Sequence, residues 1–291
     1  MTTTFQSETG RIQQMILKSP RAAFQSQSKL DTNWQALNYL GCPGFAQAES
    51  EFEQLVSTLK AADIDLHLLP SDDSLSIDSI YCRDASILTD AGAILCKMGK
   101  PARSGEPKAL EKLYQEMGIP ILGRIQGAGR MEGGDTAWIA PNTLAVGHGY
   151  RTNAEGIQQL KALAKGKFEV VEVPLPHFRG PSDVFHLMSI LSPIEKDLFL
   201  VYSPLMVVAF RDYLLSQKIR LVEVPEEEFD SMGGNVLALG PGQCLMLKGN
   251  PLTQRRLEAA GLEVITYTGT EISAKGCGGP TCLTRPLERA I

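Results

Sequence analysis

A plan that recurs about every fifty residues constrains this chain more than any other feature. Four stretches each read as a short strand, a turn, an apolar strand, a loop and a helix. They open with "YCRDASILTDAGAILCKMG", "GRMEGGDTAWIAPNTLAVGHG", "SDVFHLMSILSPIEKDLFLVY" and "SMGGNVLALGPGQCLMLKG". In each, two apolar runs bracket a hairpin turn: "TDAGA", "APNT", "SPIEKD" and "GPGQ". The helices that follow are amphipathic, as Leu110, Leu113, Tyr114 and Met117 show, and lead into a further strand such as "FEVVEV" or "LEVITY". An N-terminal stretch, "FAQAESEFEQLVSTLKAADIDLHLLP", supplies a fifth helix, with an apolar run near "RAAFQ". "TCLTRPLE" is the expected strand that closes a ring beside that unit. Repetition at such a period signals stacked supersecondary units. Five units closing on themselves make a propeller-like single domain over residues 1–291. The competing fold is an ordinary α/β sandwich with coincidental spacing.

Chemistry-bearing residues follow the same period. Asp84 and Asp135 are 51 residues apart, Asp135 and His186 51, His186 and Asn235 49, and Asn235 and Cys282 47. Residues at one phase of a ring converge on its axis, so Cys282 is expected opposite Asp84, Asp135 and His186.

Composition removes several classes of function. Of 291 residues 43% are hydrophobic and 21% charged, the make-up of a globular protein with a sizeable core. A net charge of −5 and the lack of a Lys/Arg-rich run argue against a nucleic-acid partner. The sequence lacks the apolar stretch of a membrane span and a signal-peptide h-region, so the expected setting is cytoplasmic. Six scattered cysteines do not make a secreted disulfide framework. Cys277 and Cys282 lack the companion pair or His-x-x-x-His partner of a structural zinc site, so no metal is expected.

A free thiol is a weak nucleophile at neutral pH unless a nearby cation or base helps it ionise. Cys282 stands out by phase and by the preceding "GCGGP", whose glycines permit close backbone approach to a ligand; Cys277 is off phase inside the turn. Phase likewise selects His186 over His67, His148 and His177 as general acid and base. "RMEGGDTAW" places Glu132 and Asp135 around paired glycines, and "CRDAS" adds Asp84. These carboxylates suit either a role in orienting the histidine or a cationic substrate. Thiol, imidazole and carboxylates together fit attack on an electrophilic carbon of a cation.

"EGGD", the later "FHL" and the terminal "GGPTCLTRPL" resemble the guanidine-modifying enzymes: dimethylarginine dimethylaminohydrolase, arginine deiminase and the amidinotransferases. The resemblance runs over residues 12–290. It implies an α/β fold, a five-bladed α/β-propeller (pentein) of ββαβ-type units with pseudo-fivefold symmetry. It also implies that Cys282 is the nucleophile, His186 the acid/base, Glu132 its orienting carboxylate and Asp84 the grip on the guanidinium. Arg103 and Arg151, each 19 residues beyond an acidic site residue, match the family's arginines for a substrate carboxylate. Asp78 and Asp135 are expected as further substrate contacts. The sequence departs from the deiminases and amidinotransferases at Met188, where they typically carry an aspartate. Loss of one charged hydrogen-bonding arm is worth roughly 1.5–3 kcal/mol, which favours a dimethylargininase-like hydrolase needing no cofactor. The partner is a small guanidino substrate, with neither nucleic acid nor membrane, and a homo-oligomer is compatible with the chain. The alternatives are an arginine deiminase or dihydrolase, an amidinotransferase, and a non-catalytic propeller that only binds.

Overall fold

The apolar runs bury themselves as five three-stranded sheets of one design. The computed structural model describes residues 2–183 and 185–291. In each sheet a first strand pairs antiparallel with a central strand, and a helix then returns the chain to a third strand parallel to the centre. Ser86–Thr89, Gly92–Leu95 and Ile121–Arg124 form one, with helix Glu106–Glu116 between the last two. Thr136–Ala140, Thr143–His148 and Glu169–Pro174 form the next, with helix Ala154–Ala164. Leu191–Glu195, Leu198–Val201 and Arg220–Glu223 follow, with helix Val208–Ser216. Val236–Gly240, Gln243–Leu247 and Glu263–Tyr267 complete the four repeats legible in the sequence, with helix Pro251–Ala259.

The remaining sheet joins the two ends of the chain. Gln14–Leu17 is its centre, helix Phe45–Ala61 leads to the parallel strand Asp65–Leu68, and Arg285–Pro286 pairs antiparallel on the other side. The N-terminal strand is thus Gln14–Leu17. The "RAAFQ" run is instead the short helix Pro20–Ala23, because Ser19 caps it and Pro20 opens it. The closing strand is also shorter than expected: Pro280–Leu283, which carries Cys282, is a helical turn in front of it. A small sheet of Thr3–Thr4, Arg289–Ala290 and Arg11–Ile12 fastens the termini together.

Sequence pattern follows position. The first and central strands of the four repeats are almost wholly buried and read as continuous apolar runs. The third strands are edges and keep charged residues, such as Glu169 and Glu172. Neighbouring first strands touch in sequence order, Thr136–Ala140 with Leu191–Glu195 and that strand with Val236–Gly240. Three apolar clusters bridge adjacent units, around Phe199, Leu55 and Tyr114. The result is a mixed α/β fold. Among the described residues no helix is long and apolar enough to cross a membrane.

Candidate active site

The residues at the repeating phase sit where each unit begins. Short helical turns lead into the first strands: Cys82–Ala85, Gly133–Asp135, Leu187–Ser189 and Pro280–Leu283, while Asn235 immediately precedes Val236–Gly240. These turns touch one another, Cys82–Ala85 lying against both Gly133–Asp135 and Pro280–Leu283. The paired glycines of "EGGD" make that approach possible. A Cβ on Gly133 would lie 2.3 Å from the Arg83 carbonyl oxygen, and one on Gly134 2.6 Å from both Asp84 Oδ1 and His186 Nδ1.

Glu132 and His186 form a buried pair, Nε2 to Oε2 at 2.7 Å. Glu132 also accepts from the backbone N–H of Gly99 at 2.9 Å and of Lys100 at 3.0 Å, and from Arg151 at 3.0 Å. Burial alone would favour its neutral form, but the bond and charge of His186, then Arg151 and Arg103, hold its carboxyl well below the usual range. Burial opposes protonation of His186, yet the Asp84, Asp135 and Glu132 carboxylates outweigh it and raise its pKa to about 9. His186 is therefore an imidazolium at neutral pH. Asp135 lies behind it, accepting from the Leu187 N–H at 3.1 Å, and burial lifts its pKa to about 6. The other histidines pair elsewhere: His67 with Gln14, His148 with Glu172 and His177 with Tyr150.

The raised pKa of His186 fixes a pH dependence of stability. A folded-state value above the unfolded value near 6.5 means that folding binds a proton between the two. The contribution is complete below about pH 6.5 and is lost as pH rises toward about 9. Denaturant titrations should therefore show the stability difference between the wild type and His186→Asn shrinking across that window. A difference that grows with pH contradicts the assignment.

Cys282 faces this pair from the opposite turn. Asn235 Oδ1 accepts from both the Thr281 N–H (3.0 Å) and its hydroxyl (2.9 Å), which leaves Nδ2 to donate to Cys282 Sγ at 3.3 Å. Burial pushes the Cys282 thiol up, the Asp84 charge adds to this, and the Asn235 bond opposes both. Asn235 was in phase but carries no reactive group, so sequence reasoning gave it no role. Asn235→Ala should lower kcat/KM roughly 10- to 100-fold, the value of one hydrogen bond to a charged group, as steady-state kinetics will show. Unchanged kinetics would remove Asn235 from the site.

The glycines of "GCGGP" serve packing within the protein. A Cβ on Gly278 would lie 2.2 Å from the Tyr81 ring, and one on Gly279 2.4 Å from Asn235 Oδ1; Gly276 likewise packs against Tyr81 and Tyr39. Cys277, held at φ +58°, lines the same cleft as Cys282, and burial pushes its thiol up.

The cleft has two parts that meet at His186, Cys277 and Cys282. The charged part is lined by Asp78, Asp84, Lys100, Arg103 and Arg151. The other is walled by Phe178, Phe185, Met188, Phe229 and Met232, with the Arg179–Asp230 ion pair (2.7 Å) on its border. Arg103 is committed within the charged part, to Asp84 Oδ2 (2.5 Å), bidentate to Glu106 (2.9 and 2.7 Å) and to the Tyr81 carbonyl (2.8 Å). Lys100, which no sequence signal singled out, pairs with Asp78 at 2.6 Å. The cleft thus gathers Cys282, His186, Asp84, Asp78, Arg103 and Arg151, with Glu132 bonded directly behind His186, while Asp135 sits outside the lining. Ligand atoms of Asp84, Glu132 and His186 lie within 4.8 Å of one another, a spacing that could also hold a cation.

The family model of N,N dimethylarginine dimethylhydrolase, eukaryotic, matches residues 43–289. YkgA, an uncharacterized protein of Bacillus subtilis, is 29% identical over 242 residues, 83% of this chain and 80% of its own. The arginine deiminase of Rhodococcus opacus is 28% identical over 254 residues, 72% of this chain; the match spans 60% of that enzyme's length. Among solved structures, DDAH from Pseudomonas aeruginosa, a mutant complexed with citrulline, superposes with a TM-score of 0.76 at 26% identity, covering 94% of this chain and 98% of its own.

Proposed function

The chain belongs to the N,N dimethylarginine dimethylhydrolase family, and from that premise we propose that it is a cysteine-dependent hydrolase of guanidino C–N bonds. The substrate class is an arginine-like guanidine, a methylated arginine before arginine itself, and the product is a ureido compound such as citrulline. The observation that carries the reading is the placement of Cys282 against Asn235, with the His186–Glu132 pair and Asp84 at the same cleft. The contacts between successive lead-in turns support a five-bladed ring in which residues 1–291 act as one domain around this centre.

The guanidinium docks on Asp84 and cancels the charge that disfavours the thiolate, so the Cys282 proton is lost as substrate binds. Arg151 takes the substrate carboxylate, with Lys100 and Asp78 beside it; Arg103, expected from the sequence to share that task, is already bonded to Asp84, Glu106 and the Tyr81 carbonyl and holds Asp84 in place. The thiolate attacks the guanidinium carbon. The His186 imidazolium gives its proton to the departing nitrogen, the C–N bond breaks, and a cationic thiouronium remains on Cys282. Neutral His186, oriented by Glu132, takes a proton from water as the hydroxyl adds to the same carbon. Collapse breaks the C–S bond, the hydroxyl proton passes to the departing Cys282 sulfur to restore the thiol and free the neutral ureido product, and the released amine takes up the proton that Cys282 lost on binding. Overall, guanidinium and water become a neutral ureido compound and an ammonium.

Met188 lines the apolar side of the cleft, where its thioether would pack against an N-methyl group and itself offers an unsubstituted nitrogen no charged acceptor. That contact favours the dimethylargininase-like reading over an arginine deiminase. A colour test for ureido groups after incubation with arginine, methylarginines and agmatine should give product first with a methylated arginine. No product from any guanidine would overturn the proposal.

The reactive state needs both thiolate and imidazolium. The free thiol titrates above its usual value and His186 near 9, so kcat/KM should rise through neutral pH to an alkaline maximum above about pH 8. A maximum below pH 6.5 would contradict this pairing.

A further inference from the structure

Three arginines are buried beside the catalytic turns with too little negative charge to match them. Arg83, Arg285 and Arg289 are 3%, 5% and 1% exposed. Arg83 sits in the lead-in turn next to Asp84, Arg285 begins the closing strand, and Arg289 lies in the small terminal sheet. Glu8 is the carboxylate among them, accepting from Arg83 NH2 at 2.5 Å. Three guanidinium groups against one carboxylate leave a surplus of two positive charges. Arg289 NH1 donates to the carbonyl oxygens of Gly10 (2.5 Å) and Ala238 (2.9 Å). Five other nitrogens have no hydrogen-bond partner among the described residues: Arg83 Nε, and Nε and NH2 of both Arg285 and Arg289.

The pattern of these nitrogens is informative. Nε and NH2 form the side-on edge of a guanidinium, the edge with which Arg103 grips Glu106. Arg285 and Arg289 each keep that whole edge free of protein acceptors. Burial, and then repulsion from Arg83, lower Arg285 to about 10; burial outweighs Glu8 and lowers Arg289 to about 10, so both stay charged at neutral pH. Buried charge with unmet donors is costly unless a counter-charge completes it. The cluster also has two approaches: Arg83 lines the catalytic cleft, and Glu8 lines a separate pocket formed by the N-terminal strands with Trp138 and Phe199.

We propose that Arg83, Arg285 and Arg289 form a buried site for a small inorganic anion, a halide or a tetrahedral oxyanion, reached from the pocket at Glu8. The anion completes the charge of the layer that carries Asp84 and ties the closing strand to it. The site is independent of the guanidino chemistry.

Full-length protein crystallised without halide or sulfate and soaked in sodium bromide should show anomalous density at the Arg285 and Arg289 edges. In gluconate buffer at constant ionic strength, bromide or sulfate should raise Tm with the logarithm of its concentration once above Kd, by about 5 °C at a hundredfold excess over Kd; the more effective of the two identifies the anion class. Arg285→Met is the control variant, because Arg285 Nε and NH2 have no hydrogen-bond partner among the described residues. It should fold, melt no lower than wild type in gluconate, and lose most of the anion-dependent shift. Water alone at these edges with no anomalous peak, or an equal shift in Arg285→Met, overturns the proposal.

Discussion

Cys282→Ser protein is expected to fold, to bind guanidino substrates and to turn over none of them, with kcat/KM down by at least about 10⁴-fold, as for loss of other enzymic nucleophiles. The substitution keeps the turn Pro280–Leu283 and a partner for Asn235 Nδ2, so the architecture survives. What it removes is a nucleophile whose proton can be displaced by the charge of the substrate. A serine hydroxyl is far less acidic than a thiol, and the buried position beside Asp84 opposes an alkoxide even more strongly than it opposes the thiolate. Binding measured by calorimetry should persist within a few-fold, because Asp84, Arg103 and Arg151 are untouched. Near-normal turnover in this variant would remove Cys282 from the chemistry.

His186→Ala has the second largest expected effect, a loss of roughly 10²–10⁴-fold, the usual worth of a positioned general acid–base group. The loss should divide between two half-reactions in a way that a structural defect would not produce. With an alkylamine leaving group, the imidazolium is needed for C–N cleavage, so the first step fails. With a substrate whose leaving group departs without a proton, such as a thiolate, Cys282 can still form the thiouronium as that thiolate leaves. Water attack then lacks its base, and the covalent species should accumulate. Rapid-quench mass measurement distinguishes the cases: adduct build-up supports the dual role, and equal slowing of both steps with no adduct contradicts it. Glu132→Gln should show a weaker version of this behaviour, since it keeps the shape of the orienting group but not the charge that holds His186 protonated.

The repeat was legible because its physics is local. Hairpin turns such as Pro241–Gly242, with Gly242 at φ +78°, and the almost wholly buried central strands are written in adjacent residues. The unit built from both ends of the chain was harder to read. "RAAFQ" is apolar enough for a strand, but Ser19 and Pro20 make it a helix, and the true strand Gln14–Leu17 is defined by partners at residues 65–68 and 285–286. The phase rule located Asp84, His186 and Cys282 because each stands at the mouth of a unit. It did not reveal what each residue does there. Asp135 shares the phase yet faces the backbone of Leu187, and Asn235 shares it as the donor to the thiol. Lys100 was invisible because its partner Asp78 lies in another turn and no spacing links them. The glycines before Cys282 suggest close approach to a ligand, but the space a Cβ would take is filled by Tyr81, Tyr39 and Asn235, which only the packed structure identifies.

The central claim is that Cys282 carries the substrate carbon. Its most direct test is mass spectrometry of protein quenched in acid during turnover of a methylated arginine. Trypsin should release residues 276–289 as one peptide holding both Cys277 and Cys282, since Arg285 is followed by Pro286. Fragmentation should place the thiouronium mass on Cys282, with none on Cys277 and none in Cys282→Ser. Label on Cys277, or turnover with no labelled cysteine under conditions that trap the His186→Ala adduct, would contradict the account.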